Sequence, residues 1–505
     1  MLISQKIIPV IVLSCFTVLV IFSFGSLGVL PGSVIVLSAP LLIRLLTDPR
    51  RALLFSWWCL VFLPLPIRMY LGSTPYYALN ELVIVIVWAS WAATFLIEKG
   101  TVSSGVPRPL ARLAYLIVVI SILSAIVNRT NPLYLLEWVF SYLLPIPVLG
   151  ISRRYLKNFS SRKMCFIILW VLLLQVLLNL TWHAGINPIR NGHVIWLDLS
   201  CGTYSNTAAT AYIFISVLGG ILCYYTAGRM SLGKNILLML LLLVSFVQVF
   251  FTFTSHAYVF LPIAALMPVM FRGGANALDP VRVSIKMLLA IMVLMAFLIP
   301  LSNKTKSQHH RIIGPSVKTF TTRLWDSVVH GPKIGVIRRV ANEARPLQMV
   351  VGMGPNAGVS YTGFLLKTPQ TLRLVGDWFH TFSGREEIST GSIRDNLFSG
   401  TAMLFSEIGL VGMFFYYGML VVPLLHMFRR VRHYRIIDPY RLFIVGSVFI
   451  LLAMNLIIGL VWDIWRIRML SMTIWLLLGM IWDPPVQAHT ATNEKEDDTR
   501  QKANG

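Results

Sequence analysis

Residues 397–426 read LFSGTAMLFSEIGLVGMFFYYGMLVVPLLH, an apolar run with a single charged side chain, Glu407. A helix of about 20 consecutive apolar residues spans the hydrocarbon core of a bilayer, so this run is a membrane-span candidate. Cations bound it on both sides: Arg394 stands just before it, and Arg429, Arg430, Arg432 and Arg435 follow.

Working outward, further apolar runs lie at 7–25, 28–46, 52–67, 77–97, 113–127, 133–151, 164–182, 206–226, 235–251, 257–271, 287–301, 442–461 and 469–482. Several are short, and 28–46 is interrupted by Pro31 and Pro40, so the pattern predicts about 12–14 transmembrane helices. The chain is 56% hydrophobic and 12% charged, with a mean hydropathy of +0.73. That composition excludes a soluble globular protein. The expected fold is an all-α polytopic membrane protein with one large, partly helical extracytoplasmic loop. Its parts are a bundle of about 11 spans over 1–301, a basic loop over 302–396, C-terminal transmembrane helices over 397–482 and a disordered tail over 483–505. No small-residue cleavage site follows the apolar stretch from Ile7 to Phe22, which reads as a first span rather than a signal peptide.

Charge gives the sidedness. Alternate connections between the runs hold twenty Lys and Arg residues, whereas the short connections on the other side hold five: Arg68, Arg129, Arg190, Arg466 and Arg468. By the positive-inside rule both termini are expected in the cytoplasm and the 302–396 loop outside; long loops translocate despite their charge. The net charge of +23 is accounted for by such topology signals and calls for no nucleic acid partner. Of five cysteines, Cys15, Cys59, Cys165 and Cys223 fall inside apolar runs and Cys201 at a loop edge, so neither a disulfide framework nor a zinc spacing emerges.

The loop concentrates the polar chemistry. It carries thirteen cations, among them Arg311, Arg323, Arg338, Arg339 and Arg345, against six acids. Val317, Phe320, Leu324 and Val328 recur at helical spacing, as in an amphipathic helix lying on a membrane. Gly352, Gly354, Pro355 and Gly358 then make a turn-rich segment. Arginine clusters suit diphosphates, because the planar guanidinium binds phosphate oxygens in bidentate fashion; the competing reading is solvated cations facing anionic headgroups. Among the loop histidines, His309, His310, His330 and His380, no pair has a metal-ligand spacing, and each is either a base candidate or solvated. Glu81, Glu137 and Glu407 lie near the expected outer ends of spans, where an acid is either functional or packed against an Arg or loop backbone. The connection from Arg68 to Tyr76 has no acid, so no acidic metal-binding pair stands there and no metal or other cofactor is expected.

Val350-Val351-Gly352-Met353-Gly354-Pro355-Asn356, then Asp395-Asn396, then Phe405-Ser406-Glu407-Ile408-Gly409-Leu410-Val411-Gly412 together resemble the O-antigen polymerase/ligase family. Gly202-Thr203-Tyr204-Ser205-Asn206 and Thr254-Ser255-His256 are similar to earlier family segments, so the resemblance runs from about Gly202 to Met480. The His-Asn pair of the ligases is absent: Phe398 and Ser399 occupy its positions, and Asp395-Asn396 lies three residues earlier. The resemblance implies polymerisation of undecaprenyl-diphosphate-linked glycan repeat units into a surface or secreted polysaccharide, at the outer leaflet of a bacterial inner membrane. Ligase-type transfer to another acceptor is an alternative, and a lipid-linked oligosaccharide flippase is another. Implied partners are the lipid-linked oligosaccharide, membrane lipids, and the flippase and chain-length regulator of the same pathway. Arg311, Arg323, Arg338, Arg339 and Arg345 would clamp the diphosphate, Asp395 or His380 would be the base, and Glu407 would orient the site.

Overall fold

The computed structural model describes residues 47–64, 73–97, 105–178, 207–227, 260–271, 332–357, 400–434, 438–460 and 467–483, with isolated positions elsewhere. Among the described residues all regular structure is helical. The helices are α1 (Pro49–Phe62), α2 (Ser73–Ile97), α3 (Arg108–Asn128), α4 (Pro132–Tyr142), α5 (Pro145–Tyr155), α6 (Ser161–Leu178) and α7 (Thr207–Ala227). They continue with α8 (Phe260–Phe271), α9 (Pro332–Glu343), α10 (Pro346–Val351), α11 (Gly400–Tyr434), α12 (Pro439–Gly459) and α13 (Arg468–Ile481).

Four helices, α3, α6, α11 over Gly400–Arg429, and α12, are long and apolar enough to cross a membrane; α4 and α5 make a fifth if that bent pair is one span. Shorter apolar helical stretches lie at Leu79–Thr94, Ala209–Tyr224, Ser284–Val293 and Arg468–Ile481. In the bundle α7 lies along α12, α5 along α13, and α3 along α11. Their shared core includes Trp138, Phe214, Phe443 and Trp475. Tyr115, Ile126, Trp170 and Phe414 stay exposed, an apolar exterior suited to lipid.

Local chemistry sets the corners. Asp48 caps α1 by accepting from Arg51 N at 3.2 Å, with Pro49 in the first turn. At the end of α3, Thr130 N reaches back to Ala125 O at 2.9 Å and Arg129 takes the left-handed conformation at φ 51°. Asn131 then caps α4 by accepting from Leu133 N at 3.0 Å, ahead of Pro132.

Two expected single spans are broken. The run at 133–151 is two helices bent by 41°. Pro145 has no N–H to give the Ser141 carbonyl four residues back, and its ring disfavours a continuous helix there. Arg468 Nη1 supplies the missing donor to Ser141 O at 3.0 Å. The neighbouring carbonyls of Phe140 and Tyr142 also accept from side chains of other helices, Trp88 Nε1 at 2.9 Å and Tyr416 OH at 3.4 Å. The run at 397–426 breaks at Gly409, whose φ of 68° and ψ of −176° interrupt α11 in a region only glycine occupies readily.

At one end of the bundle Arg153 forms a two-pronged ion pair with Asp483, at 2.8 and 3.1 Å, and donates to Gly105 O at 3.2 Å. Arg441 donates to Asp483 O, and the His426 ring stacks on Trp482 with centroids 4.0 Å apart. The α3–α4 corner, α9, α10 and the break in α11 gather elsewhere, around Glu407.

Candidate functional site

The candidate site begins with a glycine turn buried in the bundle. Residues 352–357 are all buried, wedged between the α3–α4 corner and the α11 break. The turn's backbone runs against α11 as a short ladder: Met353 N donates to Ser406 O at 2.6 Å and Gly354 N to Glu407 O at 3.3 Å. Those carbonyls are available because α11 breaks at Gly409 instead of continuing its own hydrogen bonds.

Glycine is required on both sides of this contact. A Cβ on Gly352, at φ 90°, would overlap the Glu407 carbonyl and stand 2.5 Å from Ile408 N. A Cβ on Gly409, at φ 68°, would overlap the Val350 carbonyl and stand 2.6 Å from Gly352 N. The sequence turn at Gly352–Pro355 is therefore a plug seated in the bundle rather than a free lid.

Side chains fasten the plug. Asn128, at the end of α3, donates through Nδ2 to Gly352 O at 2.9 Å and to Ser124 O at 2.7 Å. Its Oδ1 accepts from Gln348 Nε2 at 2.7 Å, and Gln348 Oε1 in turn accepts from Arg345 N at 2.9 Å. Ser124 Oγ donates to Glu407 O at 3.0 Å. On the far side Asn356 donates through Nδ2 to Tyr134 O at 2.9 Å and to Glu137 Oε2, while Glu137 Oε1 accepts from Ser141 Oγ at 3.0 Å.

Glu407 differs from expectation. It does not face water at a span end; it is 0% exposed, and its Oε2 accepts from Trp138 Nε1 at 2.7 Å. Trp138 is equally buried and stacks on Tyr142, whose hydroxyl lies 2.8 Å from Met403 Sδ. Arg468, 7% exposed, holds its guanidinium 6.0 Å from the Tyr142 ring. Glu407 is thus enclosed beside Trp138, at the α3–α4 corner and the break in α11.

The arginines lie on and between the two short helices that lead into the plug. Arg338 and Arg345 are exposed and Arg339 half-buried, on α9 and just before α10, both of which pack on α11. The ion pairs Arg51–Asp48 and Arg153–Asp483 involve neither Arg338 nor Arg345. The structure thus brings together Gly352, Gly354, Pro355, Glu407 and the arginine-bearing helices. Arg311, Arg323, His380 and Asp395 lie outside the described residues, as does the amphipathic pattern from Val317 to Val328. No group of three or more His, Cys, Asp or Glu among the described residues is arranged to hold a metal ion.

Sequence reasoning missed Ser124, Asn128, Trp138, Gln348 and Arg468. A signal was present for Asn128 and Arg468, polar groups at the ends of apolar runs that burial tolerates only when they are paired. Compared with known proteins, the chain matches no family model and no curated protein.

Proposed function

We propose that this chain is a membrane glycosyltransferase that polymerises lipid-diphosphate-linked glycan repeat units at the outer leaflet of a bacterial inner membrane. One observation carries the reading. The Gly352–Asn356 and Phe405–Gly412 segments, the two motif pieces on either side of 358–399, are hydrogen-bonded to each other, at 2.6 Å from Met353 N to Ser406 O. That contact holds α9, with Arg338 exposed on it, and α10, with Arg345 exposed just before it, against α11. In this reading the plug end faces outside and the Arg153–Asp483 end faces the cytoplasm, following the distribution of Lys and Arg.

The chemistry assigned to the site is a substitution at an anomeric carbon. An acceptor hydroxyl oxygen attacks that carbon, the bond to the diphosphate oxygen breaks, and the lipid diphosphate leaves with the electron pair. The hydroxyl proton passes to a base, with Asp395 and His380 as the candidates. Arg338, Arg339 and Arg345, with Arg311 and Arg323, stabilise the charge that develops on the leaving group. Glu407 keeps a positioning role, holding Trp138 and the plug.

Deletion of the gene followed by gel analysis of cell-surface glycan tests the proposal. Single repeat units still attached to the surface, with long chains lost, support polymerase. Loss of all attached glycan with polymer persisting on the lipid carrier assigns ligase instead. Lipid-linked glycan trapped on the cytoplasmic side overturns both and assigns a flippase.

A further inference from the structure

One face of α10 is left uncovered. Leu347 and Val350, a turn apart on that face, are 55% and 44% exposed. Gln348 turns to the bundle instead, where its Nε2 donates to Asn128 Oδ1 at 2.7 Å. Two exposed aliphatic side chains next to a basic segment are unfavourable in water and well placed in lipid. Depth in the membrane decides between the two.

A knot of contacts marks one level. Asp483 accepts from Arg153 and Arg441, Arg153 also donates to Gly105 O, and His426 Nε2 lies 3.1 Å from Trp482 O. From that level, at about 1.5 Å per residue, α11 rises about 26 Å from His426 to Gly409 and α12 about 27 Å from Arg441 to Gly459. Along α3 the rise from Arg108 to Asn128 is about 30 Å. The hydrocarbon layer of a bilayer is about 30 Å thick, so Gly409 and Asn128 stand at its far boundary.

Gly409 is also the turning point of α11. Thr401 Oγ1 lies 2.8 Å from Tyr417 OH, although a straight helix would set those two residues about 24 Å apart along its axis. The chain therefore folds back at Gly409, which forms the tip of a helical hairpin. α10 is fixed to both boundary markers. Gln348 and Gly352 O bond to Asn128, and Val350 lies against the tip, where a Cβ on Gly409 would overlap its carbonyl. The apolar exterior of the spans reaches the same level: Ile126 in the last turn of α3, and Leu410 beside the tip, are both exposed. The exposed charges on α3, α9 and the start of α10 here are Arg129, Arg338 and Arg345; Glu137 and Glu343 are half-buried and Glu407 is enclosed. Exposed cations bordering an apolar surface suit a segment at the membrane interface.

We propose that Leu347 and Val350 seat α10 among the lipid chains of the leaflet at this end, the outer one in the orientation given above. The occupant of the uncovered face is bilayer lipid, continuing the surface that Ile126 and Leu410 present. α10 is then a membrane anchor for the end of the basic loop, not a helix standing in water above the bundle. The anchor holds whatever reaction the chain performs.

Photo-crosslinking identifies the neighbour directly. Full-length protein carrying Leu347→p-benzoylphenylalanine or Val350→p-benzoylphenylalanine is reconstituted in phosphatidylcholine vesicles and illuminated. The same substitution at Phe414, exposed on the second arm of α11, reports lipid, and at Lys157, exposed in the α5–α6 connection, reports water. Leu347 and Val350 should give lipid adducts in the yield of Phe414, about tenfold above Lys157, which stands beyond the hydrocarbon. Adducts to a second copy of the chain overturn the anchor and make this face a protein contact. Yields no higher than at Lys157 overturn it too, and put α10 in water. A smaller change guards against a misplaced benzophenone. Leu347→Asp should speed limited proteolysis within 332–357 about tenfold in vesicles, because a charge in lipid favours the undocked helix. Asn342→Asp, at an exposed position of α9, should leave the rate unchanged. Equal rates in the two variants overturn the anchor.

Discussion

Trp138 Nε1 and Glu407 Oε2 meet at 2.7 Å across 269 residues of sequence, both side chains fully buried. The pair ties the α3–α4 corner to the helix break that receives the glycine plug, because the backbone carbonyl of Glu407 accepts from Gly354 N and Ser124 Oγ. An orphaned buried hydrogen-bond partner is costly. The relationship therefore separates a positioning role for Glu407 from a catalytic one.

Glu407→Gln keeps an oxygen for the indole N–H, so it should retain polymer formation and lose little stability. Glu407→Ala strands the Trp138 donor and should cost about 1–3 kcal/mol. Melting temperature in detergent reads the second effect and glycan gels the first. Polymer abolished in Glu407→Gln, with an unchanged melting temperature, would make Glu407 a reacting group.

Substituting the two glycines that face each other across the plug should unseat it, whereas substituting the third in the same motif should not. Gly409→Ala meets the Val350 carbonyl and adds about 1–3 kcal/mol of backbone strain. Gly412→Ala meets no atom of the plug: its Cβ would stand 2.7–2.8 Å from Cβ, Cγ1 and Cδ1 of Ile408, a crowding within α11 itself. Limited proteolysis within 332–357 should accelerate in Gly409→Ala and Gly352→Ala and stay at the wild-type rate in Gly412→Ala. Equal rates in all three would mean the plug is not held by this contact.

The glycines and Glu407 were legible in sequence because they break a pattern: turn residues in a charged loop, and one acid in a long apolar run. What the pattern could not give is which carbonyl each glycine lies against, since that depends on helix breaks. The break at Gly409 hides inside a run that reads as one span despite Glu407, and Pro145 and Pro147 sit in a stretch that reads as another. Trp138 was hidden for a different reason, since an indole in an apolar run packs as a hydrophobe and shows its N–H only when a partner is placed. Exposure of Arg338 and Arg345, by contrast, follows from composition alone.

The break between α4 and α5 makes a separate prediction through Arg468. Its guanidinium serves the Ser141 carbonyl that Pro145 leaves without a donor. Arg468→Met should cost about 1–3 kcal/mol. Pro145→Ala restores a backbone N–H at that position, so the double variant should lose less than the sum of the two single changes. A thermal double-mutant cycle measures the coupling. Strict additivity would show that Arg468 serves something other than this carbonyl.

Arg338 and Arg339 test the loop as an anion-binding surface. They stand side by side on α9, exposed and half-buried, and alanine favours a helix at least as well as arginine. Arg338→Ala with Arg339→Ala should therefore leave α9 folded and the protein in the membrane at wild-type level, while long glycan chains disappear. Membrane fractionation checks the amount of protein and glycan gels the product. Charge is the variable that has changed, so Arg338→Lys with Arg339→Lys should recover part of the chain length: lysine keeps the cation but not the planar fork. Wild-type chains in the double alanine variant would remove α9 from the clamp and leave diphosphate binding to arginines elsewhere.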